Sequence, residues 1–218
     1  MPLSREEECK NSKNKKIGQA LLCPIFLFLL GKQAQGHTTR IDIKKQHDII
    51  FLLQIARKCR HMRIVVFSDS HGNIRHCAEA IERIKDVDMI IHLGDILKDV
   101  EALELLYPNI TIEYVAGNNE FRNTAPYNRV LEIEGKKIFI THGHLYRVKY
   151  EYDTIVQKGK SLKADVILFG HTHEGYEAYK DGMFILNPGS ISLPKWGKAS
   201  YGVIEIQDGK IGTCICNV

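Results

Sequence analysis

Met62-Arg-Ile-Val-Val-Phe-Ser-Asp-Ser-His-Gly72 is the stretch on which the fold turns. Its apolar run, Ile64 to Phe67, ends almost directly in Asp69-Ser70-His71, and Ile74, Ala78, Ile81 and Ile84 then recur at spacings of three and four. The run reads as a buried strand and the spaced residues as one face of a helix. Strand, loop with two metal-liganding side chains, helix: that unit organises the rest of the chain.

The unit recurs at Met89 to Leu93, followed by Gly94-Asp95 and a helix from Leu97 to Leu106. It recurs less completely where Ile110 to Val115 runs into Gly117-Asn118-Asn119-Glu120. Strands alternating with helices call for right-handed crossovers and a largely parallel sheet. Beyond Asn128 the rhythm changes, because Val130 to Ile133 and Lys137 to Ile140 flank Glu134-Gly135-Lys136 as a hairpin. A helix over Tyr152 to Leu162, a strand over Val166 to Phe169 and hairpins around Asp181-Gly182 and Asp208-Gly209 complete the pattern. An α/β chain of two sheets packed face to face, with helices outside both, accommodates this mixture.

Asp69, Asp95, Asn118, His142 and His171 each follow a strand, and ligand sites in open α/β sheets gather at the carboxyl edge. Asp69 and His71, two apart at a strand end, can point to one side. Carboxylate, amide and imidazole together suit Mn, Fe, Zn or Ni and are the ligand set of a two-metal hydrolase. Taken singly, each piece has a plain structural reading. Asp69 can cap the following helix, and Gly94-Asp95 and Gly117-Asn118 are ordinary turn dipeptides. His142-Gly-His144 and His171-Thr-His173 can be surface-loop histidines, although four imidazoles directly behind buried strands would lack partners in a plain core. It is the agreement of order, location and residue type that favours a single site.

Asp69-x-His71, Gly94-Asp95, Gly117-Asn118-x-Glu120, His142-Gly-His144 and Gly170-His171-x-His173, in that order, resemble the calcineurin-like metallophosphoesterase superfamily. The short length and Asn187-Pro188-Gly189-Ser190 resemble its small bacterial and archaeal phosphodiesterase branch. The resemblance covers Met62 to Val218 and implies a four-layer α/β/β/α sandwich of two mixed sheets. Carried over position by position, it implies Asp69, His71 and His173 on one divalent ion, Asn118, His142 and His171 on a second, and Asp95 bridging both. Mn is the foremost metal, with Ni, Fe or Zn as alternatives. The implied reaction is in-line hydrolysis of a small phosphodiester by water activated between two cations.

Two departures from the family pattern matter. Many members carry His after the Gly-Asn, whereas Asn119 stands here and cannot act as an acid near pH 7. His144 and Glu120 therefore join Asp95 as catalytic candidates. Gly94-Asp95-Ile-Leu-Lys98-Asp99 also lacks the Arg of the Gly-Asp-x-x-Asp-Arg-Gly pattern of the Ser/Thr protein phosphatases, which disfavours a phosphoprotein substrate. Two rivals stand beside the phosphodiesterase: a non-catalytic interaction scaffold of the retromer-subunit type, and a nucleotide phosphatase or nuclease of the same superfamily. Tyr146, Arg147, Arg122 and Lys149 lie near the expected site, where they can hold a phosphate or simply be solvated.

Net charge separates the chain into two parts. Met1 to His61 carries 12 Lys+Arg against 5 Asp+Glu, a net +7, which leaves Met62 to Val218 with 18 against 21, a net −3. The second part therefore shows no basic footprint for nucleic acid. The first holds an apolar run of 11 residues, Ala20 to Leu30, too short for a bilayer, which needs about 20. Lys13, Lys15 and Lys16 before it and Ala34 after it resemble a secretory signal, although Glu6-Glu7-Glu8 is atypical. The favoured expectation is that Met1 to His61 is upstream sequence without a fold of its own and that residues 62–218 form the domain. Six cysteines without Cys-x-x-Cys spacing suit a reduced, cytoplasmic protein. Cys214 and Cys216 share a strand face, which does not favour a bridge between them. A membrane role is not expected, and self-association is left open.

Overall fold

The computed structural model describes residues 61–84, 86–120 and 125–218. Expectations for Met1 to Arg60 and for Arg122 lie outside the described residues.

Three parallel strands alternate with two helices, as the repeating unit requires: β1 (His61–Phe67), α1 (Arg75–Ile84), β2 (Met89–His92), α2 (Leu97–Leu106) and β3 (Thr111–Tyr114). β1 begins at His61, one residue before the expected domain start. The expected hairpin follows as β4 (Asn128–Ile133) and β5 (Lys136–Thr141), then α3 (Asp153–Leu162), β6 (Val166–Leu168), β7 (Gly175–Lys180), β8 (Met183–Pro188), β9 (Ser200–Gln207) and β10 (Lys210–Asn217). One sheet has the order β10-β9-β1-β2-β3 and the other β4-β5-β6-β8-β7. Both are mixed, with β1, β2 and β3 parallel in the first and β5, β6 and β8 parallel in the second.

Alternation along the strands sorts side chains into three apolar layers. Ile64 and Val66 of β1 meet Ile138 and Ile140 of β5, Val166 and Leu168 of β6, and Ile204 and Ile206 of β9 between the sheets. Val65 and Phe67 face outward and are covered by Cys77, Ala80 and Ile81 of α1 and Leu103 of α2. Phe139, Ile167 and Ile185 face the other way, under Ile155 and Val156 of α3. The result is the expected α/β/β/α sandwich. The buried face of α1 contains Cys77 and Ala80, with Ala78 only half-buried. A reduced thiol packs as a small hydrophobe, so Cys77 moves the face off Ala78.

Register keeps the strand ends level. Phe67 sits opposite His92 and His92 opposite Tyr114 in the first sheet, and Ile140 opposite Leu168 and Leu168 opposite Leu186 in the second. Every loop leaving a parallel strand therefore opens at one edge. Among the described residues, no helix is long and apolar enough to cross a membrane.

Candidate metal centre

Loop backbones at this edge are tied to one another before any side chain is considered. Leu93 N–H donates to Phe67 O at 2.8 Å, Asp69 N–H to Gly94 O at 3.2 Å and Gly170 N–H to His142 O at 3.0 Å. Asp69, His71, Asp95, His171 and His173 all adopt positive φ, between 48° and 96°. Non-glycine residues in that region carry strain and cluster at functional sites. Asp69 does not cap α1; Asn73 Oδ1 instead accepts from Arg75 N–H at 3.2 Å.

One group of polar atoms forms around Asp69, His71, Asp95 and His173, whose liganding atoms all lie within 4.8 Å of one another. His71 Nε2 is 3.2 Å from His173 Nε2 and 3.2 Å from Asp95 Oδ2. His173 Nδ1 donates to Leu193 O at 2.7 Å, because a carbonyl can only accept. In a neutral ring the Nε2 lone pair then faces Asp69 Oδ1 at 3.2 Å. That carboxylate oxygen is fully buried and accepts no well-formed hydrogen bond. A lone pair aimed at an anionic oxygen is stable only with a proton or a metal cation between them.

The second group repeats the arrangement. His142 Nδ1 donates to Leu93 O at 2.9 Å, leaving Nε2 3.1 Å from Asn118 Oδ1 and 3.1 Å from His171 Nδ1. Asn118 Nδ2 is turned away to Asn119 Oδ1, so the amide presents its oxygen. Asp95 links the groups, with Oδ2 toward His71 and Oδ1 3.8 Å from His142 Nε2. All seven sequence-expected ligand positions are thus brought together. These donors fit divalent cations: two carboxylates, an amide oxygen and ring nitrogens whose second nitrogens are partly oriented by carbonyls.

Charge states suit the same use. Burial alone would raise the Asp69 carboxyl, but His173, His142 and Ser68 outweigh it and hold the pKa at about 2. Burial, aided by His142 and Lys149, pushes His171 down to about 4, so the ring is neutral and available at pH 7. His173 is raised, chiefly by its contact with Asp69.

The sequence matches the calcineurin-like phosphoesterase superfamily domain over residues 62–209. The chain belongs to that superfamily. Membership places it among metal-dependent phosphoric ester hydrolases. It is 32% identical to the probable metallophosphoesterase YsnB of Bacillus subtilis over 150 residues, covering 67% of this chain and 86% of the relative. It is 29% identical to phosphodiesterase YfcE of Escherichia coli over 171 residues, covering 66% and 88%. A predicted phosphoesterase of Streptococcus pneumoniae superimposes with a TM-score of 0.62 at 29% identity, covering 72% of this chain and 90% of that one. Vacuolar protein sorting 29 of Cryptosporidium parvum superimposes at 0.58 with 19% identity, covering 72% and 98%, a likeness of fold alone.

Beside the candidate ligands, this superfamily member carries supports that its motifs did not reveal. Asn119, read from sequence as a lost acid, donates to Asp95 through Nδ2 at 2.8 Å and its backbone N–H at 3.3 Å. Gly94 N–H donates to buried His92 Nδ1, leaving His92 Nε2–H for Ser70 Oγ at 3.0 Å; Ser70 donates on to Asp99. Ser190 Oγ and Ser192 Oγ clamp the carbonyls of Asp69 and Ser70. A Cβ on Gly170 would collide with Ser68 Oγ and lie 2.9 Å from Asp69 Oδ2. Of the catalytic candidates, Glu120 is engaged by Gly117 N–H and raised by burial. His144 lies 5.5 Å from His142 and 6.1 Å from His171, ring to ring, and is lowered by burial and by His142. Tyr146 packs edge-on against Phe139, and Arg147 lies over exposed Tyr150.

Proposed function

We propose that the protein is a divalent-metal-dependent phosphodiesterase that hydrolyses a small phosphodiester in line. Asp69, His71 and His173 would hold one ion, Asn118, His142 and His171 the other, and Asp95 both. The observation that carries this reading is the pair of facing acceptor groups joined by Asp95. When bound, the two cations, Mn foremost, supply Lewis acidity and a water of lowered pKa.

The chain's own residues complete the chemistry. Asp69 stays ionised across the physiological range, and His171 stays neutral. Asn119 fixes both oxygens of Asp95 and is therefore a positioning residue. Glu120 is committed to the Gly117 turn, which leaves His144 beside the second group to exchange a proton with the leaving oxygen. Burial and His142 lower the His144 pKa and make its imidazolium form scarce, so the site suits diesters with good leaving groups, which need little protonation. Reduced cytoplasmic residence is part of the proposal, with Cys77, Cys214 and Cys216 as thiols.

The deciding experiment is Mn loading of purified protein, elemental analysis and assay with bis(p-nitrophenyl) phosphate. Turnover with up to two ions per chain is expected. Less than about one ion per chain without turnover would overturn the proposal in favour of a scaffold.

A further inference from the structure

The edge that carries the ligands is flanked by apolar side chains that no core absorbs. On one side, the segment from Ser190 to Trp196 is fastened to the first group: Ser192 Oγ donates to Ser70 O, His173 Nδ1 donates to Leu193 O, and Lys195 N–H donates to His173 O at 2.9 Å. Yet Leu193 is 54% and Trp196 74% exposed. On the other side, Tyr127 meets His144 edge-on at 5.3 Å, and His144 in turn meets His142 and His171. Pro126 O accepts from Ala116 N–H at 2.9 Å, which ties the Tyr127 segment to the end of β3. Tyr127 is 41% exposed, and Leu145, next to His144, 54%.

Lys195, between Leu193 and Trp196, is engaged by Glu174 at 3.2 Å. An exposed indole on a segment bonded to the first group, and a phenol ring packed on His144 beside the second, offer faces for stacking. A diester has two organic arms, and the rim has an apolar flank beside each group.

We propose that this site selects phosphodiesters bearing a flat aromatic ester group, with Trp196 and Leu193 on one flank and Tyr127 on the other as specificity-determining residues. The inference rests on the phosphodiesterase reading and names its substrate class.

Three substrates sharing one leaving group test it: bis(p-nitrophenyl) phosphate, thymidine 5′-(p-nitrophenyl) phosphate and methyl p-nitrophenyl phosphate, with Mn-loaded full-length protein. Because the leaving group is common, the ratio of kcat/KM for an aromatic-bearing substrate over the methyl one reads the remaining arm. Trp196→Ala or Tyr127→Ala should lower that ratio by about tenfold, the worth of one stacked ring, and Trp196→Phe should keep most of it. A ratio that falls for the thymidine substrate alone assigns the arm to a nucleoside; one that falls for the aryl substrate alone assigns it to a simple aryl group. Trp196 is the chain's one tryptophan, so its fluorescence gives a second readout that needs no turnover. Diphenyl phosphate should change it, and dimethyl phosphate should not. Ratios within twofold of the parent in both alanine variants, with equal fluorescence responses to the two ligands, overturn the proposal. A preparation that hydrolyses none of the three defeats the phosphodiesterase reading instead, and the fluorescence comparison alone then decides the subsite: a diphenyl-selective change supports it and its absence overturns it.

Discussion

Asp95 carries more of the site than any other single side chain, because its two oxygens face different ligand groups and Asn119 fixes both. Asp95→Ala should therefore abolish hydrolysis of a model diester and reduce metal content below about one ion per chain by elemental analysis; near-normal values would contradict the shared-ligand role. A different kind of test falls on Gly170. A methyl group there meets Ser68 Oγ and Asp69 Oδ2, so Gly170→Ala should cost about 1–3 kcal/mol, as overpacking does. The readout is a lower Tm together with weaker Mn binding. His144→Ala should slow a diester with an alkoxide leaving group more than one with nitrophenolate, since only the poorer leaving group needs a proton. Equal losses on both would remove His144 from proton transfer. At this scale, the residues that converge at the candidate site were legible from sequence because their motifs follow apolar runs. The role of Asn119 was not, since a missing acid and a bracing amide are the same letter.

Strand ends, rather than individual side chains, set the geometry, and α2 braces the ends of β1 and β2 through buried polar contacts. His92, at the close of β2, connects Gly94 to Ser70 and onward to Asp99 in α2. Burial pushes His92 down to about 4 and His171 likewise. Because both folded values lie below the ordinary 6.5, the unfolded chain binds protons first as pH falls. Their stabilisation is complete above about pH 6.5 and is lost progressively toward pH 4. His173, raised by Asp69, works in the opposite sense and offsets part of this. The guanidinium midpoint of metal-free protein in EDTA should thus be lower at pH 5 than at pH 7.5; an unchanged or higher midpoint would refute the assignment. The elements themselves were readable because apolar runs and helical spacing mark them, as with α1, announced by Ile74, Ala78, Ile81 and Ile84 and found over Arg75–Ile84. The His92 relay was not readable, because its partners lie 22 and 29 residues apart and no periodicity connects them.

For the whole domain, the site is a set of facing acceptors that favours a bound cation and is absent from the unfolded chain. Ligation should therefore be visible as stability: Mn at a hundredfold excess over its Kd adds about 2.7 kcal/mol, or some 5–10 °C in Tm for a domain of this size. A Tm indifferent to Mn and EDTA would exclude a preformed metal site. The two-sheet architecture was legible at this scale because hairpins and strand–helix units announced themselves separately. The apolar rim was not, because Leu193 and Trp196 sit in a loop whose position depends on bonds to distant His173. Five of the proposed ligands hold left-handed backbones without being glycine, each at a cost of order 1 kcal/mol or more. Metal-free protein is thus less stable than its fold allows, and replacing His171 by glycine should raise its Tm in EDTA while lowering it in Mn. In a lineage released from catalysis, drift at these positions would be uphill in function yet downhill in energy, so glycine or asparagine appearing there would mark where the chemistry had been abandoned.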